Sequence, residues 1–217
     1  AEWQAIARIC HLVDGMPLAI VLAAGWLGLL RLEEIAGEIE RNADILESDL
    51  RDLPPRQRSM RVVFEQTWQR LTQAEQALYM RLSVFHGGFT GNAAMRVAGA
   101  TLSVLRGLTD SALLWRDSED RYHIHELLRQ YAAEKLTAHG LEVDLRQRHA
   151  AYYIDLITRA EPELYGRNQL LVVETLQAEE ANLSAAWQWA LGNRPFAELA
   201  QAVNGWGLYY EISGRVV

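Results

Sequence analysis

Two histidines one residue apart are the residues of this chain best suited to chemistry. They lie in the stretch RYHIHELLRQYAAEKL (121–136) as His123 and His125, and Glu126 follows directly. On a β-strand alternate side chains project to the same face, so both imidazoles would face one ligand. That geometry suits a metal ion, with Glu126 or His149 as a third ligand. The same imidazoles could instead act as a general acid and base.

Neither chemistry has further support in the sequence. No second group of ligands follows at a spacing that zinc sites use, and a lone His-x-His pair is a weak signal. No nucleophile or paired acid accompanies the histidines, and the chain has no G-x-S-x-G elbow. We therefore assign no catalytic residue and no metal ligand. A structural role for His125, capping or packing at a strand-to-helix junction, stays open beside a ligand contact.

The elements that must position these residues are mostly helices. Apolar residues at helical spacing predict an amphipathic helix over 3–13, and DGMP then breaks it. Pro17 suits the first turn of the next helix, where its missing N–H costs little. That next helix (18–30) is almost wholly apolar but too short to span a membrane, so we expect it to be buried.

The middle of the chain predicts a winged helix. Two prolines in DLPPRQRS (52–59) mark a linker, and TQAE (72–75) is a capping box that begins a helix. Further short helices follow, and then LLWRD and RYHIH form a β-hairpin around a polar SED turn. A helix that stops at Gly140 closes the unit.

Long helices fill the remainder and predict the start of an α-solenoid of tetratricopeptide-like repeats. The fold class is therefore mainly α, in three parts: a helical domain (1–52), a winged-helix domain (53–140) and repeat helices (141–217). A solenoid this short lacks its far cap, so we expect the chain to be a piece of a longer protein.

Composition narrows the class of protein. The net charge is −7 overall, with +3 in residues 51–140 and negative values on either side, which gives weak support for a nucleic-acid surface. The single cysteine, Cys10, excludes an internal disulfide, and a cytoplasmic location is expected.

Several strings resemble the signal-transduction NTPases with numerous domains (STAND), which include the NB-ARC proteins and bacterial regulators of the MalT and SARP/LuxR-associated type. The strings follow the family's order: GMPLAIVLAA (15–24), LPPRQRSMRVVFEQTWQRLTQAEQALYMRLSVFHGGFT (53–90), LLWRDSEDRYHIHELLRQYAAEKL (113–136), RHAAYYIDLITRAEPEL (148–164) and LQAEEANLSAAWQWAL (176–191). The resemblance implies an arm made of a Gly-x-Pro helical domain, a winged helix and a tetratricopeptide-like sensor.

The resemblance also implies which parts are absent. No segment reads G-x-x-x-x-G-K-[S/T], so the ATPase domain, with its ADP or ATP and magnesium, would lie upstream in the parent protein. The fragment itself should hold no cofactor and hydrolyse no ATP.

Two motifs of this chain match those that meet the nucleotide in the family. Gly15-Met16-Pro17 resembles the Gly-x-Pro motif, whose proline packs against adenine. Ile124-His125-Glu126 is similar to the Met-His-Asp motif, whose histidine reaches the β-phosphate of ADP, with Ile in place of Met and Glu in place of Asp. The resemblance thus implies nucleotide contacts by Pro17 and His125 in the intact protein.

The leading hypothesis is a non-catalytic regulatory arm of a bacterial transcriptional regulator. It would close over ADP on the upstream nucleotide-binding domain until a ligand or protein binds the repeats. The alternative is a DNA-binding winged helix. Its recognition helix would be TLSVLRGLTDSA (101–112), which offers Arg106 as its one cation and carries Asp110, so direct DNA binding is disfavoured. No membrane partner is expected.

Overall fold

Helices make up most of the structure, a computed structural model that describes residues 2–41, 60–193 and 196–214. Within those ranges the chain forms twelve α-helices and one antiparallel sheet of two short strands. The predicted mainly α class with a small hairpin is therefore confirmed. The predicted linker at 52–59 lies outside the described residues.

The first helices form a small layer around the loop that carries Pro17. They are α1 (Glu2–Leu12), α2 (Pro17–Ala24), a 3-10 turn (Gly25–Gly28) and α3 (Leu32–Arg41). Buried apolar side chains hold them together: Ile9, Val13, Leu22, Ile35 and Ile39.

The predicted buried helix over 18–30 was wrong in length and correct in burial for one face only, which carries Ala19, Leu22 and Ala23. The α-helix ends at Ala24, because Gly25 and Gly28 have low helix propensity and the chain tightens there into the 3-10 turn. Val21 and Leu29 are exposed, by 49% and 79% respectively, so one side of this apolar segment faces solvent.

The central helices surround the hairpin in the order that a winged helix has. They are α4 (Met60–Trp68), α5 (Gln73–Leu82), α6 (Gly91–Ala98), α7 (Leu102–Asp110), β1 (Trp115–Arg116), β2 (Tyr122–His123) and α8 (Glu126–Ala138). The predicted capping box is present: Thr72 Oγ1 accepts from the Glu75 amide, and the Glu75 carboxylate accepts from the Thr72 amide at 2.8 Å. Thr90 caps α6 in the same way through the amide of Ala93.

The hairpin is short but gains a third partner. Trp115 lies opposite His123 in its register. Phe89, from the connection between α5 and α6, exchanges two backbone hydrogen bonds with Tyr122, at 2.8 and 2.9 Å. This bridge fixes the hairpin against the helices. The ring of Phe85 stacks on that of Phe89 and so extends the contact into the core.

In the last part of the chain, three helices pack around α9 (Glu142–Leu164), which is the longest of the described helices. They are α10 (Gln169–Ala178), α11 (Glu180–Asn193) and α12 (Phe196–Ile212). The apolar pattern over 169–193 forms two helices and not one long helix, because the chain breaks at Glu179 between α10 and α11. Helix α9 also packs on α6, so one hydrophobic cluster runs from the first helices to the last.

The division into three domains stays a prediction. Its second boundary, at residue 140, falls in the turn between α8 and α9, where Gly140 has φ +69°. Among the described residues, none of the helices is both long and apolar enough to cross a bilayer.

Candidate functional site

A tight loop sets the position of Pro17. After α1 the chain takes left-handed conformations at Asp14 (φ +48°) and Gly15 (φ +67°). Glycine adopts this conformation at little cost, and aspartate tolerates it better than most residues. Met16 then begins α2 with Pro17 at its first position, as predicted. Pro17 is exposed on this surface.

His125 lies where β2 leads into α8. It occupies the N-cap position of α8 with an extended backbone (φ −57°, ψ 134°), and its side chain makes no capping hydrogen bond. The strand ends at His123, so the expected pair on one strand face is interrupted before His125. The predicted place at the strand-to-helix junction is correct, and capping by the imidazole is not what it does.

The carboxylate of Asp14 joins these two segments. Its Oδ2 atom lies 2.8 Å from Nδ1 of His125 and accepts the backbone N–H of Glu126 at 3.3 Å. Because a carboxylate can only accept, Nδ1 of His125 must carry the proton. Asp14 also places a negative charge at the N-terminus of α8, where the helix dipole favours it. The structure therefore brings the loop before Pro17 onto His125.

The indole of Trp115 supports both histidines. Its ring centroid lies 5.3 Å from that of His123 and 4.6 Å from that of His125. His123 turns to a separate acid, with Nε2 2.7 Å from Oδ2 of Asp117. This hydrogen bond, with a further one from the Arg121 amide, lowers the pKa of Asp117 to about 2. Each imidazole therefore has a carboxylate of its own.

Glu126 and His149, the two candidates for a third metal ligand, contact other residues and not the two histidines. Glu126 forms a two-pronged pair with Arg129, at 2.7 and 2.8 Å. His149 is buried in α9, where its Nε2 lies 3.3 Å from Oδ1 of Asn182. Among the described residues no three histidine, cysteine or acidic side chains lie close enough to hold a metal ion.

A buried polar network beside the hairpin was not predicted. Arg121 donates to Glu179 at 2.6 Å and to the carbonyl of Gly88 at 2.8 Å. Asn182 donates to the same Gly88 carbonyl at 2.9 Å, and the hydroxyl of Tyr153 donates to Glu179 at 3.0 Å. The network ties the hairpin to α9–α11. Its only sign in the sequence is the presence of polar residues inside apolar helices.

Sequence reasoning also missed Asp14. Pro17 and His125 were found through their motifs, whereas Asp14 contacts a residue 111 positions away. Its place directly before Gly15 was the only available hint. The structure thus adds a carboxylate to the two predicted residues and leaves His149 and Glu126 outside the group.

Comparison with known proteins found relatives in mycobacteria. A protein of Mycobacterium tuberculosis (strain ATCC 25618 / H37Rv), provisionally named an HTH-type transcriptional regulator, is 34% identical over 207 residues, which are 91% of this chain and 23% of that protein. A protein of Mycobacterium bovis (strain ATCC BAA-935 / AF2122/97) with a corresponding name matches to the same extent.

A further protein of the same M. bovis strain, which is uncharacterized, is 29% identical over 146 residues, or 62% of this chain and 37% of that protein. No family model matches the chain, and no solved structure matches it. The chain spans 23% of the length of the regulators that it matches, so its likeness is to one segment of much longer proteins.

Proposed function

We propose that this chain is a non-catalytic regulatory arm of a larger STAND-type transcriptional regulator, and that it closes over ADP on a neighbouring nucleotide-binding domain. The mycobacterial relatives are provisionally named as transcriptional regulators, which supports the regulatory class. The observation that carries the nucleotide role is the contact of Asp14 with His125, which holds the two motif segments together.

The chemistry of this contact suits a phosphate. The Asp14 carboxylate accepts a hydrogen bond from Nδ1–H of His125, so Nε2 is the ring nitrogen left for a ligand, and the His125 side chain is 29% exposed. A protonated imidazole held in this way can donate a charge-assisted hydrogen bond to an oxyanion, worth about 1.5–3 kcal/mol. Pro17 offers an exposed apolar ring without an unsatisfied N–H, which suits packing against an adenine.

In the parent protein, ADP or ATP with magnesium would supply the phosphate charge, and this arm would supply only the contacts. The proposed partners are the upstream nucleotide-binding domain and a ligand or protein on the repeat helices. Binding of that ligand or protein would shift the arm from a closed to an open arrangement. We place the parent protein in the cytoplasm.

The test is His125→Ala in the full-length protein, with His139→Ala as the matched control. His139 lies at the other end of α8 and bonds its own helix, with Nδ1 2.7 Å from the Lys135 carbonyl. We expect His125→Ala to lose copurified ADP and to raise basal activity, and His139→Ala to change neither. An unchanged ADP content in His125→Ala would exclude the phosphate contact.

DNA binding by the chain itself is the second candidate function. The names of the mycobacterial relatives favour it more directly than they favour the ADP role. The matched segment is 23% of those proteins, however, so the name does not say which part binds DNA. The surface also weakens the case, because Arg106 lies 3.6 Å from Asp110 and Arg116 lies 2.7 Å from Asp120.

A gel-shift titration of the 217-residue chain at low salt tests this candidate. Tracking a duplex takes several cations along one surface, and here Arg106 and Arg116 are each balanced by an acid four residues away. We therefore expect that a pool of duplexes shows no salt-sensitive binding in the micromolar range. Micromolar binding that Arg106→Ala and Arg116→Ala weaken would instead establish the winged helix as a DNA-binding module.

A further inference from the structure

A cleft lies between α8 on one side and α9 and α11 on the other. Its volume is about 1140 Å³, which is enough for a small organic ligand. Its lining includes His86, Arg129, Arg146 and the indole of Trp189. The same four residues line a smaller recess, of about 40 Å³, that reaches His149. The cleft therefore has a cationic inner end beside an aromatic wall.

In the part of the chain that the structure describes, the cations of the recess keep donors that no hydrogen bond uses. Arg129 uses three of the five N–H groups of a guanidinium, two on Glu126 and one on the Ser83 carbonyl at 3.0 Å. Arg146 is half exposed and lies 2.9 Å from Glu142. Among the described residues, none forms a hydrogen bond with the imidazole of His86. The backbone N–H of His86 donates to Oδ1 of Asn182.

The acids that line the cleft are engaged. Glu134 lies 2.6 Å from a guanidinium nitrogen of Arg61. Glu142 accepts from Thr137 at 2.7 Å in addition to its contact with Arg146. Each of these two carboxylates therefore already has a partner of its own.

The state of His86 reflects this environment. Its pKa is lowered to about 4, mainly by burial and then by the charge of Arg129, while Glu126 opposes the shift and Arg146 adds a smaller lowering. A neutral imidazole that feels the charges of both Arg129 and Arg146 lies in a locally positive potential, which Glu126 offsets in part and which favours an anion.

We propose that this cleft binds a small organic oxyanion. Its carboxylate or phosphate lies between Arg129, Arg146 and His86, and its apolar part packs against Trp189. Such a site is a concave, partly apolar cavity between packed helices, with a few convergent polar groups. The inference goes beyond the proposed function and does not rest on it, because neither Pro17 nor His125 lines the cleft.

The experiment is calorimetric titration of the 217-residue chain with phenyl phosphate, benzoate, inorganic phosphate and benzyl alcohol. Arg146→Gln is the test variant. Arg148→Gln is its control, because Arg148 is also on α9 and also lies 2.9 Å from an acid one turn away, but it is outside the cleft. We expect an aromatic oxyanion to bind more tightly than benzyl alcohol or inorganic phosphate. Arg146→Gln should weaken that binding by about tenfold or more, and Arg148→Gln should leave it unchanged.

The two aromatic acids distinguish the sources of the charge. Tighter binding of phenyl phosphate identifies a phosphate ligand, and tighter binding of benzoate identifies a carboxylate. The proposal is overturned if benzyl alcohol binds as well as the acids, if both arginine variants weaken binding equally, or if no aromatic acid binds with a Kd below about 1 mM. None of these outcomes bears on copurified ADP in the His125→Ala protein.

Discussion

Buried imidazoles give this molecule a dependence on pH that can be attributed to single residues. His149 is 3% exposed, and burial lowers its pKa to about 4, with a hydrogen bond to Asn182 opposing the shift. The unfolded chain has an ordinary histidine pKa of about 6.5. Between these values the unfolded state binds more protons. The free energy of unfolding therefore falls as the pH falls from about 6.5 to about 4.

His149→Gln removes this titration while keeping an amide that can reach Asn182. We expect the slope of unfolding free energy against pH, between pH 6 and 4.5, to decrease by about 1 kcal/mol per pH unit. Urea denaturation at a series of pH values measures it, and His139→Gln on the surface serves as the control. A His149→Gln slope equal to that of the wild-type protein would contradict the assignment. His86, whose pKa is also about 4, accounts for part of the remaining slope.

The residues of the candidate site show how far residue-level reasoning reaches. Pro17 and His125 could be selected because each lies in a short motif whose spacing is local. Asp14 could not, because its role depends on a fold that brings together residues 111 positions apart. Single residues with a local pattern were predictable, and their long-range partners were not.

At the scale of elements, local chemistry predicted the helix starts well. Thr72 and Glu75 form the capping box that their spacing indicates, and Thr90 caps α6. The break at Glu179 is different, because the stretch has no glycine or proline there. The carbonyl of Ala178 accepts from Arg121 at 3.0 Å, and the Glu179 carboxylate is drawn into the same buried network. A tertiary ion pair thus coincides with a helix end that no local signal marks.

Two threonines at N-cap positions allow a matched test of these starts. Thr72 accepts the Glu75 amide, whereas Thr101 precedes α7 and makes no capping hydrogen bond with its side chain. Thr72→Ala should lower the free energy of unfolding by about 1 kcal/mol, because it leaves an amide of the first turn unsatisfied. Thr101→Ala should cost only a few tenths of a kcal/mol in the same chemical denaturation experiment. Equal losses would mean that the capping box contributes nothing measurable.

Over the whole molecule, the hairpin is joined to the C-terminal helices α9–α11 by charge as well as by apolar packing. The side chains of Arg121 and Glu179 are 11% and 6% exposed, and 58 residues separate them. A buried pair of this kind costs free energy to desolvate, so its net contribution to stability is modest. Removing one partner is much more damaging, because it leaves the other charge buried without a counter-ion.

Glu179→Gln therefore tests the connection between the hairpin and the helices α9–α11. It keeps the size of the side chain but leaves the Arg121 charge unbalanced, and we expect a loss of about 3–5 kcal/mol in unfolding free energy. Asp155→Asn is the control, since its partner Arg159 lies 2.8 Å away on the exposed face of α9, and it should cost no more than about 0.5 kcal/mol. Hydrogen exchange should show faster opening of the hairpin and of the α10–α11 junction in Glu179→Gln, because the ion pair links these two places. If both variants lose a similar amount of unfolding free energy and hydrogen exchange at the hairpin is unchanged, then apolar packing alone holds the hairpin against α9–α11.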